Sequence, residues 1–111
     1  MLTKFVKTFI VNMSDFGQKI KNIREQKGEP LRIVASHLGI DQAILSKIEN
    51  GKRKATKKQV ELIAKYFDFS TKELVIDWLS DKIIYDVEDE EFGYEALKVA
   101  EEKIKYLKTK R

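Results

Sequence analysis

The chain has 111 residues, of which 42% are apolar and 36% charged, with a formal net charge of +4 at pH 7. This suits one compact domain with at most an appended element. The chain has no cysteine, which excludes disulfides, thiolate metal sites and cysteine nucleophiles. A single histidine argues against a structural zinc site, and the single proline and five glycines argue against disorder and against a turn-rich all-β fold.

The charges are distributed unevenly along the chain. Residues 14–69 carry 12 Lys/Arg against 7 Asp/Glu, whereas residues 70–111 carry 8 against 11. A positive excess confined to one part of a chain indicates an acidic partner, and nucleic acid is the first candidate.

The first thirteen residues, MLTKFVKTFIVNM, are apolar enough to be compared with a targeting segment. Lys4, Lys7 and Asn12 interrupt them, no small-residue cleavage site follows, and the stretch is too short to span a bilayer. We therefore expect a cytoplasmic protein with no membrane association. A short strand, a helical turn, or an extension before an alternative start at Met13 all fit residues 1–13, which we treat as an N-terminal extension.

The chain next predicts three short helices, each with a recognisable start or stop. They run from Ser14 or Asp15 to about Lys27, from about Leu31 to Leu38, and from the capping residue Asp41 through Asn50. Phe16, Ile20 and Ile23 recur at the spacing of one helical face. Gly39 and Gly51 suit the left-handed residue that ends a helix.

Capping boxes predict the next two helices. Thr56-x-x-Gln59 and Ser70-x-x-Glu73 each precede an apolar run. After an acidic interval at residues 86–91, a sixth helix follows residue 95, and we call this helix α6. It carries an apolar stripe, the α6 stripe: Leu97, Ala100, Ile104 and Leu107. The 3-4-3 spacing of this stripe is that of a coiled-coil seam. The sequence therefore predicts an all-α fold.

Residues 31–48, LRIVASHLGIDQAILSKI, meet the requirements of a helix-turn-helix. Two helices that cross through a short turn need a small residue where they meet and a residue tolerant of positive φ at the turn. Ala35 and Gly39 supply these two residues. Apolar residues anchor both helices: Val34, Leu38, Ile40, Leu45 and Ile48.

The chain resembles the phage repressor and Cro-like regulators of the XRE family. The segments that carry the resemblance are FGQKIKNIREQKG, VASHLGIDQAILSKIENGKR and VELIAKYFDFSTKEL, within about residues 15–76. The resemblance implies a five-helix lambda-repressor-like DNA-binding domain at residues 14–80, with an added C-terminal helix in residues 81–111. The longer pattern through Leu79-Ser80-Asp81-Lys82 resembles small controllers of restriction–modification systems.

The resemblance implies that the third helix enters the major groove of double-stranded DNA. By position, the base contacts fall to Gln42, Ala43, Ile44, Ser46 and Lys47. The residue types suit the task, because Gln pairs with adenine, Lys with guanine, and an alanine methyl contacts thymine.

Other positions of the family pattern imply backbone contacts and one structural pair. Phosphate contacts are expected from Arg32, Lys52, Arg53, Lys54 and Lys57, and Lys57 could instead approach the minor groove. Arg24 and Glu49 are expected to form an ion pair. The sequence departs from the family where Pro30 and Leu31 replace a capping residue and a phosphate-binding glutamine, and Arg32 is the nearest substitute.

A regulator of this size is expected to act as a homodimer on a palindromic operator, because two-fold pairing doubles its base contacts. We expect the interface at Val75, Trp78 and Leu79 of the fifth helix, with Leu97, Ile104 and Leu107 of the sixth in support. The α6 stripe also fits docking within the monomer.

The leading hypothesis is thus a sequence-specific transcriptional regulator. The alternative is a protein-interaction module, an antitoxin or adaptor that uses the acidic C-terminal segment. The sequence offers no nucleophile–base pair, phosphate-binding glycine loop or metal cluster, so we expect no enzyme activity, cofactor or small-molecule ligand.

Overall fold

The computed structural model describes residues 15–110, which form six α-helices and no strand. In chain order these are α1 (Phe16–Gln26), α2 (Leu31–Leu38), α3 (Gln42–Glu49), α4 (Lys57–Tyr66), α5 (Thr71–Val87) and α6 (Gly93–Lys110). The predicted all-α fold is confirmed. The predictions for residues 1–13, and Ser14 as a cap, lie outside the described residues.

Local hydrogen bonds set where the helices begin. The Asp41 carboxylate accepts from a backbone N–H in the first turn of α3, at 3.1 Å. At the start of α4, the Gln59 N–H donates to the Thr56 hydroxyl at 3.1 Å and the Thr56 N–H donates to the Gln59 side chain at 2.9 Å. The Ser70 hydroxyl likewise accepts from the Glu73 N–H at 3.2 Å. The predicted starts of these helices are therefore present.

Two glycines terminate the helices that flank the turn of the helix-turn-helix. Gly39 has φ +68° and Gly51 has φ +75°, values that a side chain with a Cβ adopts only at a cost. Beyond Gly39, the Ile40 N–H donates to the Ala35 carbonyl at 3.1 Å, which closes the end of α2.

The described residues divide into two compact units, and the division falls after Trp78, within α5. The first unit contains the hydrophobic core. In it α3 contacts α1 and α2, and α2 contacts α4. The core is formed by Phe16, Ile20, Ile23, Val34, Ala35, Leu38, Leu45, Ile48, Ala55, Val60, Ile63, Ala64, Phe67, Leu74 and Trp78.

The second unit, from Leu79 onward, has no such core among its described residues. Gly93 is its one buried residue, and a Cβ there would overlap the Val87 carbonyl oxygen at the end of α5. Every residue from Tyr94 to Lys110 is exposed. Within residues 15–110, no helix has the length and apolar character needed to cross a membrane.

Candidate nucleic-acid interface

One side of α3 is buried and the other is open to solvent. Leu45 and Ile48 lie in the core. Gln42, Ala43 and Lys47 are exposed, and we call these three residues the reading face. The spacing explains the split, because positions three and four apart share one face of a helix. The reading face therefore presents an amide, a methyl group and an ammonium from one rigid surface.

The other two residues predicted to contact bases are less exposed. Ser46 is half-buried, and Ile44 is half-buried and packs against the core. Asn50, which the sequence indicated only as the end of the helix, is exposed one turn beyond Ser46. Its side-chain amide lies 3.5 Å from the Ser46 hydroxyl. Asn50 thus extends the exposed polar side of α3, and its i+4 spacing from Ser46 was the available signal.

A buried ion pair joins α3 to α1. Arg24 Nε donates to Glu49 Oε2 at 2.7 Å and Arg24 Nη2 donates to Oε1 at 3.0 Å. The exposed fractions of the two side chains are only 13% and 4%. The hydrogen bond to Glu49 raises the pKa of Arg24, so the guanidinium stays charged. A two-point contact of this kind fixes the rotation of α3 as well as its position.

A close backbone contact brings the end of α3 against the start of α1. Gly17 is buried, and a Cβ at this position would overlap the Ile48 carbonyl oxygen and come 2.7 Å from that of Glu49. Only a glycine allows the two helices to approach this closely. Sequence reasoning did not identify this role, because the contacting residues lie about thirty positions away in the chain.

A second set of polar contacts connects the segment before α2 to α1 and α4. Arg24 Nη1 donates to the Glu29 carbonyl at 3.0 Å, and the Tyr66 hydroxyl donates to Glu29 Oε2 at 3.0 Å. Burial and this hydrogen bond raise the pKa of Tyr66. The His37 ring lies 4.9 Å from the Tyr66 ring, between centroids. His37 therefore contributes to packing between α2 and α4.

Residues 51–56 form a loop directly after α3, which we call the 51–56 loop. The backbone N–H groups of Lys52 and Arg53 both donate to the Lys47 carbonyl, at 2.8 and 3.2 Å. Lys52, Arg53 and Lys54 are exposed, as is Lys57 at the start of α4. Four of the five cations predicted to contact phosphate thus lie in this loop or directly after it, and the fifth, Arg32, lies on α2.

The start of α2 is where the chain departs from the family pattern. Pro30 precedes the helix in an extended conformation with no side-chain capping bond. Leu31, in place of a polar residue, packs against the core. Arg32 is exposed at this end of α2.

The residues predicted for a dimer interface have different surroundings. Trp78 is buried in the first unit and Val75 packs against the same core, so both contribute to the monomer. Leu79, Leu97, Ile104 and Leu107 are exposed. None of the α6 stripe is covered within the second unit.

A helix-turn-helix with an exposed polar face and a cationic loop beside it is the architecture of a DNA-binding regulator. The chain belongs to the helix-turn-helix domain family, whose model matches residues 17–76.

Similarity to individual known proteins is weak. No curated protein matches the chain. A solved structure described as a SinR protein/SinI protein complex is 24% identical, with 85% of this chain and 98% of that chain covered, at a TM-score of 0.48. At this level of similarity, neither the partner nor the activity of that complex transfers to this chain.

Proposed function

We propose that this protein is a sequence-specific transcriptional regulator that binds a palindromic operator as a dimer. The observation that carries the proposal is the reading face. Gln42, Ala43 and Lys47 are exposed on a helix whose opposite side is held by the core and by the Arg24–Glu49 pair. A rigid polar helix of eight residues is the element that the major groove admits.

The chemistry of the reading face supports base recognition. Gln42 can pair with N6 and N7 of adenine, and Lys47 can donate to O6 and N7 of guanine. The Ala43 methyl suits the methyl group of thymine. Ser46 and Asn50 lie beside these residues and can add single hydrogen bonds. Ile44 is proposed to contact the groove only with the part of its side chain that the core leaves exposed.

The cations around the reading face support backbone binding. Lys52, Arg53 and Lys54 in the loop, Lys57 on α4 and Arg32 on α2 are exposed. Contacts of this type add affinity for any sequence and make binding strongly salt-dependent. The family pattern has a phosphate-binding glutamine at the position of Leu31. Arg32, the next residue, is proposed to take over this phosphate contact.

The exposed C-terminal helix supports dimerisation. Leu97, Ile104 and Leu107 are 39–54% exposed, whereas a helix of this composition is stable when its apolar stripe is covered. We propose that α6 forms the interface together with Leu79, because Trp78 and Val75 are engaged in the core. A dimer matches the two-fold symmetry of a palindromic operator.

The direction of regulation and the regulated system form the finer part of the proposal. We propose a repressor in the cytoplasm, of the type that controls restriction–modification genes. This rests on the resemblance of residues 15–82 to such controllers. An operator found upstream of a neighbouring DNA methyltransferase gene would support this assignment, and an operator elsewhere would contradict it.

The test is selection of binding sites from a pool of random duplexes by the full-length protein. We expect an inverted repeat to emerge. Gln42→Ala and Lys47→Ala should each lower affinity for that site about 5- to 150-fold, from ~1–3 kcal/mol per contact, and relax the preference at one position. Gln26→Ala and Lys65→Ala remove the same side-chain types from exposed positions on other helices and should leave affinity and preference unchanged.

A variant that lacks one of the cations proposed to contact phosphate distinguishes phosphate contacts from base contacts. Lys52→Ala should weaken binding to selected and random duplexes by the same factor and reduce the salt slope by about one. Intact sequence preference in both Gln42→Ala and Lys47→Ala would contradict the assignment of the reading face.

The second candidate function is a protein-interaction module, an antitoxin or adaptor. The observation that favours it is the exposed acidic interval, with Asp86 and residues 88–91 open to solvent beside an uncovered α6. Such a surface suits a basic protein partner. An absence of DNA binding by the full-length protein at low salt would favour this function over regulation.

A further inference from the structure

The 51–56 loop is fixed to α3 at its beginning and to α4 at its end. At the beginning, two backbone N–H groups donate to the Lys47 carbonyl. At the end, the Thr56 N–H donates to the Gln59 side chain. Between these points lies Ala55, which is 5% exposed although its neighbours on both sides are exposed.

The contact that holds the middle of this loop comes from a residue 23 positions later. Trp78 Nε1 donates to the Ala55 carbonyl at 2.8 Å, and Trp78 is itself only 9% exposed. The bond is therefore shielded from water. A peptide carbonyl that loses its donor in such a buried place costs free energy of folding.

The position of Trp78 is in turn fixed by neighbouring contacts. Asp77 forms an ion pair with Lys19 of α1, with 2.5 Å between Oδ2 and Nζ. The Lys19 ammonium also lies 5.6 Å from the centroid of the Phe69 ring. Leu74, one turn before Trp78, is fully buried. The indole thus donates from a rigid support.

We infer that Trp78 is a positioning residue for DNA binding, which orients the 51–56 loop so that Lys52 and Arg53 face the phosphates. This rests on the proposed function. Without the indole N–H, the Ala55 carbonyl has to find another donor, and turning toward solvent would rotate the Ala55–Thr56 peptide, whose N–H is bonded to the Gln59 side chain. The loop would then be held only at its beginning, by the backbone of Lys52 and Arg53, and the side chains of these two cations would be less well oriented toward phosphate.

The test replaces only the donor. The chain has one tryptophan, so incorporation of β-(3-benzothienyl)alanine in a tryptophan auxotroph changes position 78 alone and exchanges the N–H for sulfur at nearly constant shape. Binding is measured to an arbitrary duplex of about 20 base pairs, roughly two helical turns. We expect affinity up to about fivefold lower, as for the loss of one exposed ion pair with phosphate, and a salt slope shallower by about one.

The matched control is Ile20→Val, which removes a methylene from the same core at a position on α1 and leaves the hydrogen bond to Ala55 intact. It should lower stability but leave the affinity and the salt slope unchanged at temperatures where the protein is folded. If the substituted protein binds as the unchanged one does, or if the control weakens binding equally, the inference is overturned. Failure of the unchanged protein to bind DNA overturns the proposed function itself.

A second measurement requires no variant. The single indole N–H gives one resonance in a ¹⁵N-labelled sample, so its assignment is unambiguous. We expect this resonance to shift when the same duplex is added, since the Ala55 carbonyl is close in sequence to the phosphate-contacting cations. A resonance that stays unchanged at saturation would overturn the inference even where the substituted protein fails to fold.

Discussion

At the scale of single residues, Glu49 stands out as a buried charge on the helix that is proposed to read DNA. Its exposed fraction is 5%, and both carboxylate oxygens accept hydrogen bonds from Arg24. Burying such a pair costs desolvation that its attraction only partly offsets, so net stability is a weak explanation for it. Its directional geometry instead explains how a short helix keeps one orientation.

Removing both partners of this pair should destabilise the protein by less than the sum of the two single removals. We expect Arg24→Met to cost about 3 kcal/mol of unfolding free energy, because Glu49 is then left as an unpaired buried charge. The double variant Arg24→Met/Glu49→Met should lose less than the sum of the two single variants. Urea denaturation of the four proteins measures this coupling, and additive effects would contradict it.

Whether the sequence predicted the role of a residue depended on how many positions along the chain separate that residue from its hydrogen-bond partner. The caps at Asp41 and Thr56 were predictable because their partners lie within the next three residues. The Arg24–Glu49 pair was expected only from the family resemblance. The bonds from Tyr66 to Glu29 and from Trp78 to Ala55 join distant positions of the chain, and no local pattern indicates them.

At the scale of elements, α3 depends on its neighbours more than on itself. Eight residues are fewer than an isolated helix needs in water, so packing has to stabilise it. Leu45 and Ile48 supply the apolar contact, and Gly17 lets α1 approach the end of α3. The sequence predicted the inward face of α3 but not this approach.

Substitution of Gly17 should therefore displace α3 from its packed position against α1. In Gly17→Ala, the new methyl would overlap the Ile48 carbonyl, so α1 and α3 must separate. Overpacking of this kind destabilises a protein by ~1–3 kcal/mol. The higher helix propensity of alanine over glycine stabilises it by only about 1 kcal/mol, so a net loss of stability is expected. Thermal unfolding measures the loss, and DNA affinity should fall as well because α3 moves.

The control for this substitution lies on the same helix. Gln26 is exposed, so Gln26→Ala should change stability by at most about 0.5 kcal/mol and leave DNA affinity unaltered. A Gly17→Ala protein as stable as the Gln26→Ala protein would show that α1 and α3 leave room for a methyl group at this contact, contrary to the overlap with the Ile48 carbonyl.

At the scale of the whole molecule, the two units differ in what stabilises them. The first unit buries side chains from five helices in one core. The second exposes nearly all of its large apolar side chains, among them Ile83, Ile84 and Tyr106. The hydrophobic pattern of α6 was evident in the sequence. The sequence did not indicate what covers this stripe, because an apolar stripe of this kind suits a partner chain and an intramolecular neighbour equally.

The proposed dimer interface can be tested with two substitutions that lie on different faces of α6. Ile104 belongs to the α6 stripe, whereas Val99 lies about 140° away around the helix. Both are β-branched and about half exposed, at 54% and 52%. Ile104→Glu should place two carboxylates in the interface of a symmetric dimer and weaken it at least about tenfold, because desolvating unpaired charges is costly. Val99→Glu should leave the dimer intact.

Sedimentation equilibrium over a range of protein concentrations measures the dimer dissociation constant of each variant. Since the first unit has its own core, the Ile104→Glu protein should remain folded and still bind a single half-site, with loss of the added affinity for the full inverted repeat. Equal dimerisation by both variants would exclude the α6 stripe as the interface and leave Leu79 on α5 as the next position to substitute. Dissociation by Val99→Glu alone would place the contact on the opposite side of α6.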